Sequence, residues 1–201
     1  MTQVYLASRN RKKLEELRRI LSEAVPALEV LGLADVEPYD EPAETEPTFE
    51  GNAVIKARAG LEATGLPSLA DDSGLCVDAL NGMPGVLSAR WAGNAKDDRA
   101  NNALLLEQLQ DTPPRLRTAE FRCAVAFCMP GGIEEVAFGE MRGTVTRELR
   151  GTGGFGYDAL FVPEGETLTT AELPDEAKDR ISHRGKALRA IAPVVAQALV
   201  V

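Results

Sequence analysis

Histidine and cysteine are scarce in this sequence: one and three in 201 residues, with a single tryptophan and 5% aromatic residues overall. Cys76, Cys123 and Cys128 have no metal-ligand spacing, and on one strand Cys123 and Cys128 would point to opposite faces, so they read as reduced cysteines packed as small hydrophobes. Positive charge is also short, with 22 Lys and Arg against 31 Asp and Glu and a net charge of -9. A broad nucleic-acid or anionic-membrane surface needs the opposite balance, so both partners are excluded. No apolar run reaches membrane-spanning length. In the N-terminal MTQVYLASRNRKK the basic residues follow the apolar stretch, the reverse of a signal peptide. A cytoplasmic globular protein is expected, and its 44% apolar and 26% charged residues suit one domain over residues 1–201. A polyanionic small substrate would need a local basic island.

The chain alternates strand and helix signals. Residues 3–7 (QVYLA) read as a strand, and Ser8 or Asn10 can cap a helix carrying Leu14, Leu17 and Leu21 on one face. Residues 28–33 (LEVLGL) form a second strand, and the acidic, Pro-rich 34–47 a surface loop. Residues 48–64 predict a helix stopped by Gly65. Residues 69–72 are a short buried strand ending at a site, with a further strand at 75–80. A helix is expected over 98–110. Strands at 118–129 and 133–146 flank Pro130-Gly131-Gly132 as a β-hairpin, which extends the sheet as a second lobe. A closing helix spans 182–200, bent at Pro193. This order specifies an α/β fold with a mixed sheet.

The stretch GTGGFG (151–156) matches G-x-G-x-x-G, the dinucleotide fingerprint, but that motif needs a helix opening on its glycines. Here Tyr157 to Pro163 is aromatic, branched and Pro-stopped, hence strand-like, and the dinucleotide reading fails. Three other stretches carry chemistry. Ser8-Arg9-Asn10-Arg11-Lys12-Lys13 lies at a strand-to-helix turn, where free N–H groups suit phosphate oxygens; it reads equally as a capped helix with a solvated basic face. In Ala70-Asp71-Asp72-Ser73-Gly74, adjacent acids on a strand face opposite ways, so one carboxylate at most reaches a given site. That stretch suits a magnesium ligand or a water-activating base, or simply a turn. His183 stands beside Arg184 and Lys186 at the start of the last helix; a lone histidine is more often structural.

Together these segments resemble the inosine/xanthosine triphosphate pyrophosphatase family. Its S/T-x-N-x-x-K appears as Ser8, Asn10 and Lys13, and its E-T-x-x-T-F-x-x-N-A-x-x-K-A as Glu44, Thr45, Thr48, Phe49, Asn52, Ala53, Lys56 and Ala57. ADDSGLCVDAL, PGVLSARWAG, GTGGFGYDALF, Lys178 and SHRG follow in order. The resemblance implies an elongated α/β fold, a mixed β-sheet with flanking helices and two lobes around a central nucleotide-binding cleft, assembled as a homodimer. It implies Mg2+-dependent hydrolysis of the small-molecule nucleotides ITP, dITP and XTP to the monophosphate plus pyrophosphate. Ser8, Arg9, Asn10, Arg11, Lys12 and Lys13 would grip the triphosphate, with Lys56 beside it. Glu44 and Asp72 would bind the metal, Asp72 also serving as general base. Ser73, Phe155, Gly156, Tyr157, Asp158, Lys178, His183 and Arg184 would line the nucleotide site, with Phe155 stacking on the purine, Asp158 accepting from it, and His183 and Arg184 donating to its 6-oxo group. Two departures stand out. Arg9 replaces a small residue of many members, and Gly51 replaces their Glu, which should weaken the cap of the second helix. The SHR and GGFGYD segments argue against the related pyrophosphatases of dTTP and UTP, and intact Asp72, Lys13 and Lys56 argue against a silent nucleotide sensor.

Overall fold

The computed structural model describes residues 2–199. Its strands are β1 (Thr2–Leu6), β2 (Leu28–Leu31), β3 (Ser68–Val77), β4 (Met83–Pro84), β5 (Thr118–Met129), β6 (Ile133–Val145) and β7 (Phe161–Pro163). The helices are α1 (Arg11–Ala24), α2 (Phe49–Thr64), α3 (Asp98–Gln108), α4 (Asp175–Ile181) and α5 (His183–Leu199). The strand order is β2-β1-β3-β5-β6-β7, with β4 beside β3. β1 runs parallel to β2 and β3, while β4 is antiparallel to β3 and β7 to β6. The expected mixed α/β sheet is present.

The described chain divides into two compact units. The first comprises 2–72, 123–139 and 183–199, and the second 73–122 and 140–182. The divisions fall inside β3, β5 and β6, so the hairpin is not a lobe of its own. Its tip belongs to the first unit and its ends to the second.

In the first unit the period-2 alternation of the strands sorts side chains onto two faces. Val4, Leu6, Leu69, Cys123, Val125 and Phe127 pack with α1 (Leu17, Ile20, Leu21) and α5 (Leu188, Ile191, Val195). Tyr5, Ala7, Ala70, Ala124, Ala126 and Cys128 pack with α2 through Ala53 and Ala57. Cys123 and Cys128 thus lie on opposite faces, as their spacing predicts. Small residues on the α2 face let that helix approach closely: a Cβ on Gly60 would stand 2.4 Å from Ser68 Oγ. The second unit has its own core of Leu75, Leu105, Phe121, Tyr157, Leu160 and Phe161.

The helix ends follow local chemistry. Asn10 caps α1, its side chain accepting from Lys13 N–H, and Thr48 caps α2 by accepting from Gly51 N–H at 3.1 Å. Glycine at position 51 therefore leaves the cap intact. Gly65 closes α2 at φ 70, a left-handed conformation that costs glycine little.

One expectation needs correction. β3 does not stop at Asp72 but continues through Ser73-Gly74 to Val77, because its side chains are buried on both faces and that burial overrides the turn preference of Ser-Gly. The chain before the last helix forms a separate helix, α4, in which an acidic first turn and Lys178 and Arg180 in the last turn both suit the helix dipole. Ser182 then ends α4 in an extended conformation, and α5 continues through Pro193.

Candidate active site

The first unit holds a dense set of buried charges around β3. Asp71 and Asp72 are both buried, 3% and 6% exposed, and strand alternation sends them to opposite faces. Asp71 lies on the α1 and α5 side. Its Oδ2 accepts from Lys13 Nζ at 3.1 Å and from Arg184 Nε and Nη2 at 3.2 Å each. Arg184, 1% exposed, also donates to Glu16 through Nη1. Burial alone would push the Asp71 carboxyl up, but Lys13, Arg184 and Lys56 outweigh it and hold Asp71 well below the usual carboxylate range. Arg184, expected to donate to a base, here engages Asp71 and Glu16 with its guanidinium.

Asp72 lies on the α2 side. Lys56, one turn from Asn52 along the same helix face, donates from Nζ to Asp72 Oδ1 at 3.1 Å and to Glu44 Oε1 at 2.9 Å. Asn52 Nδ2 donates to Asp72 Oδ2 at 3.3 Å. Burial pushes the Asp72 carboxyl up, and Lys56, although opposing, does not reverse it. Two adjacent acids are thereby driven in opposite directions, the pattern of an acid/base assignment. Burial pulls the Lys56 ammonium down, but Asp72, Asp71 and Glu44 outweigh it and raise it, so it stays charged.

Of the acids in the Pro-rich loop, Glu44 is the one joined to Lys56, while Glu41 pairs with Arg9 at 3.6 Å. Arg9 also donates to the Tyr39 carbonyl at 2.8 Å, so its guanidinium ties down this loop. The other basic residues open α1: Arg11, Lys12 and Lys13 occupy its first turn with no acid among them. Cations at the positive end of a helix are unfavourable unless an anion joins them. Ser8 Oγ accepts from Asn10 N–H at 3.3 Å, and Arg11 pairs with Glu15 on the surface. Asn10 is the N-cap of α1, its side-chain oxygen accepting from Lys13 N–H at 3.2 Å.

Among the described residues no three His, Cys, Asp or Glu side chains are grouped to hold a metal ion. Glu44 and Asp72 nevertheless converge on one ammonium, so two hard oxygen donors stand within reach of a common point. Magnesium held jointly with nucleotide phosphates takes one or two carboxylates and keeps several waters, and this donor set fits it.

The second unit carries the glycine loop. Gly154 (φ 66) and Gly156 (φ 59) are left-handed, and a Cβ on Gly154 would stand 2.1 Å from Asp158 Oδ2. Asp158, 4% exposed, is what shapes the loop. Its Oδ2 accepts from Phe155 N–H and Lys178 Nζ, both at 2.8 Å, and its Oδ1 from Thr170 Oγ1 at 2.8 Å. Asp158, expected to accept from a purine, here accepts from the loop backbone, Thr170 and Lys178. Tyr157 likewise sits in the core, with its hydroxyl donating to the Ser88 carbonyl at 2.9 Å. Lys178 Nζ lies over the Phe155 ring, 5.2 Å from its centroid, a cation–π contact. Gly156 is gripped from α3, its N–H donating to Asp98 Oδ2 and its carbonyl accepting from Asn102 Nδ2, both at 2.8 Å. Ser73 is half-buried on β3. His183 is buried at the start of α5 in the first unit, where β6 approaches so closely that a Cβ on Gly139 would meet the His183 carbonyl oxygen at 2.0 Å.

Sequence reasoning missed Glu16, Asp98, Asn102 and Thr170, and gave Asn52, a motif residue, no role. Asn52 carried a signal in its place in the motif, one turn before Lys56 on an α2 face that also buries Ala53, Ala57 and Gly60. The others are linked to their partners only by the tertiary fold.

The model of the Ham1 family matches residues 4–194. A Nocardia farcinica protein named dITP/XTP pyrophosphatase is 60% identical over 197 residues, 98% of this chain and 96% of that one. A Streptomyces coelicolor protein of the same name is 53% identical over 200 residues, 99% of this chain and 100% of that one. Among solved structures, the Staphylococcus aureus Ham1 protein aligns with a TM-score of 0.86 at 36% identity, covering 98% of this chain and 100% of its own. The Mycobacterium abscessus nucleoside-triphosphatase / dITP/XTP pyrophosphatase aligns with a TM-score of 0.76 at 53% identity, covering 96% and 100%. The family resemblance read from the motifs is thus met over nearly the whole chain, which belongs to the Ham1 family.

Proposed function

We propose that this protein is a Mg2+-dependent nucleoside-triphosphate pyrophosphatase that hydrolyses dITP, ITP and XTP to the monophosphate and pyrophosphate, acting as a cytoplasmic homodimer. The observation that carries the reading is the cluster of Asp72, Lys56 and Glu44 in the same unit as a helix start made only of cations, within a chain of net charge -9. The names of the relatives support the substrate class.

A water oxygen attacks the α-phosphorus, the bond from that phosphorus to the bridging oxygen breaks, and pyrophosphate leaves with the bond's electron pair. Asp72 takes the proton from the attacking water; a carboxylate pushed up by burial is the better base. Lys56 stays charged, orients Asp72 and Glu44, and balances negative charge as the leaving group departs. Glu44 and Asp72 would hold magnesium, which when bound adds positive charge at the triphosphate. Ser8 and the start of α1, with Lys13, take the phosphate oxygens through N–H groups and charge.

Phe155 on its rigid glycine loop offers a stacking surface for the purine, and Lys178 fixes that ring. His183 donates to the 6-oxo group shared by hypoxanthine and xanthine. Adenine presents an amino group there, and the unpaired donors would cost roughly 1–3 kcal/mol each. The test is pyrophosphate release with magnesium from dITP, ITP and XTP against GTP, ATP and dTTP. Strong preference for the first three supports the reading; preference for dTTP, or no turnover, overturns it.

A further inference from the structure

The mechanism gives no task to Asn52, a residue of the α2 motif. It is 1% exposed and lies one turn before Lys56, on the face that packs against the sheet. A buried amide must satisfy its acceptor and its donors, and Asn52 spends all of them in one place. Nδ2 donates to Asp72 Oδ2 at 3.3 Å and to the Glu46 carbonyl at 3.2 Å, while Oδ1 accepts from the Glu46 N–H at 3.0 Å. Chemistry fixes this orientation, because a flipped amide would set its oxygen against a carboxylate and a carbonyl.

Glu46 lies two residues beyond Glu44 in the Pro-rich loop. Holding both polar groups of Glu46 fixes the path of the backbone that delivers Glu44 to Lys56. The neighbouring glycine makes this approach possible, since a Cβ on Gly51 would stand 2.6 Å from Glu46 Cβ and Cγ. One side chain thereby joins the loop of Glu44 to the strand of Asp72.

We propose that Asn52 is a positioning residue for the divalent cation: it sets the separation and orientation of Glu44 and Asp72 so that both present oxygen to one metal ion. The inference rests on the reading of those two carboxylates as ligands. Partners that orient metal ligands without touching the metal are typically worth about 10- to 100-fold in affinity or activity. Asn52→Ala should therefore weaken Mn2+ binding, followed by electron paramagnetic resonance of the free ion, by about 10- to 100-fold. The magnesium concentration for half-maximal pyrophosphate release from dITP should rise in step, with a smaller fall in kcat at saturating magnesium.

Glu44→Gln tests the ligand reading in parallel, and Val195→Ala, a core truncation in α5, shows what destabilisation alone does. If Glu44→Gln loses Mn2+ affinity and Asn52→Ala keeps it, the inference is overturned and the ligand reading stands. If both keep it, or the wild type binds no Mn2+, reading and inference fall together. Should Asn52→Ala not fold, Asn52→Gln carries the test: it retains the amide one methylene farther out, and wild-type metal affinity in that variant would overturn the inference.

Discussion

Asp71 and Asp72 adjoin on one strand, are buried to nearly the same degree, and do opposite work. Asp71 meets two cations from α1 and α5, and Arg184 is itself shared with Glu16, so the group neutralises its own charge inside the fold. Asp72 meets one cation, which it shares with a second acid. The first arrangement is closed and the second carries excess negative charge, as a site for a cation requires. Strand alternation alone provides the separation: one residue of offset gives the same chemical group two different sets of partners. The GGFGYD loop repeats the first case, with Asp158 fully engaged by Lys178, Thr170 and the loop backbone.

Breaking each side of this comparison gives different losses. Asp72→Asn removes the base while keeping size and hydrogen bonding, so kcat for dITP should fall by about 10^2- to 10^4-fold with little change in thermal unfolding; near-normal kcat would remove Asp72 as the base. Asp71→Asn leaves Arg184 and Lys13 short of a partner, and breaking a buried pair costs about 3–5 kcal/mol. Urea unfolding should show that loss, while the folded fraction keeps turnover. If stability were unchanged and kcat fell instead, the roles of the two acids would be exchanged.

The loop sharpens the comparison at smaller scale. Gly154→Ala puts a methyl group against Asp158 at φ 66, a strain of order 1–3 kcal/mol. It should raise KM for dITP and leave the magnesium half-saturation untouched, because Glu44 and Asp72, the proposed metal residues, lie in the first unit. The smallest effect belongs to Arg11, whose side chain is 91% exposed. Arg11→Ala should change stability by less than about 0.5 kcal/mol and raise KM for dITP by a modest factor that vanishes at high salt.

Local chemistry made much of this legible in the sequence. Asn10, Thr48 and Gly65 mark helix ends through groups that act within a few residues, and Pro130-Gly131-Gly132 marks the hairpin in the same way. The opposite facing of Asp71 and Asp72 follows from strand geometry once β3 is recognised. What did not show is which partner each charge meets. Arg184 reaches Asp71 across 113 residues of sequence, and Lys178 reaches Asp158 across 20. No spacing rule distinguishes a guanidinium aimed at a ligand from one neutralised inside the fold. β3 was misjudged for a related reason: Ser73-Gly74 is a turn by local preference and a strand by burial, and burial won.

The central claim is that water attacks the α-phosphorus and expels pyrophosphate. Hydrolysis of dITP in 18O-labelled water, with products resolved by mass spectrometry, tests it most directly. One 18O atom in the monophosphate and none in the pyrophosphate is the predicted result; label in pyrophosphate or in released orthophosphate would contradict it.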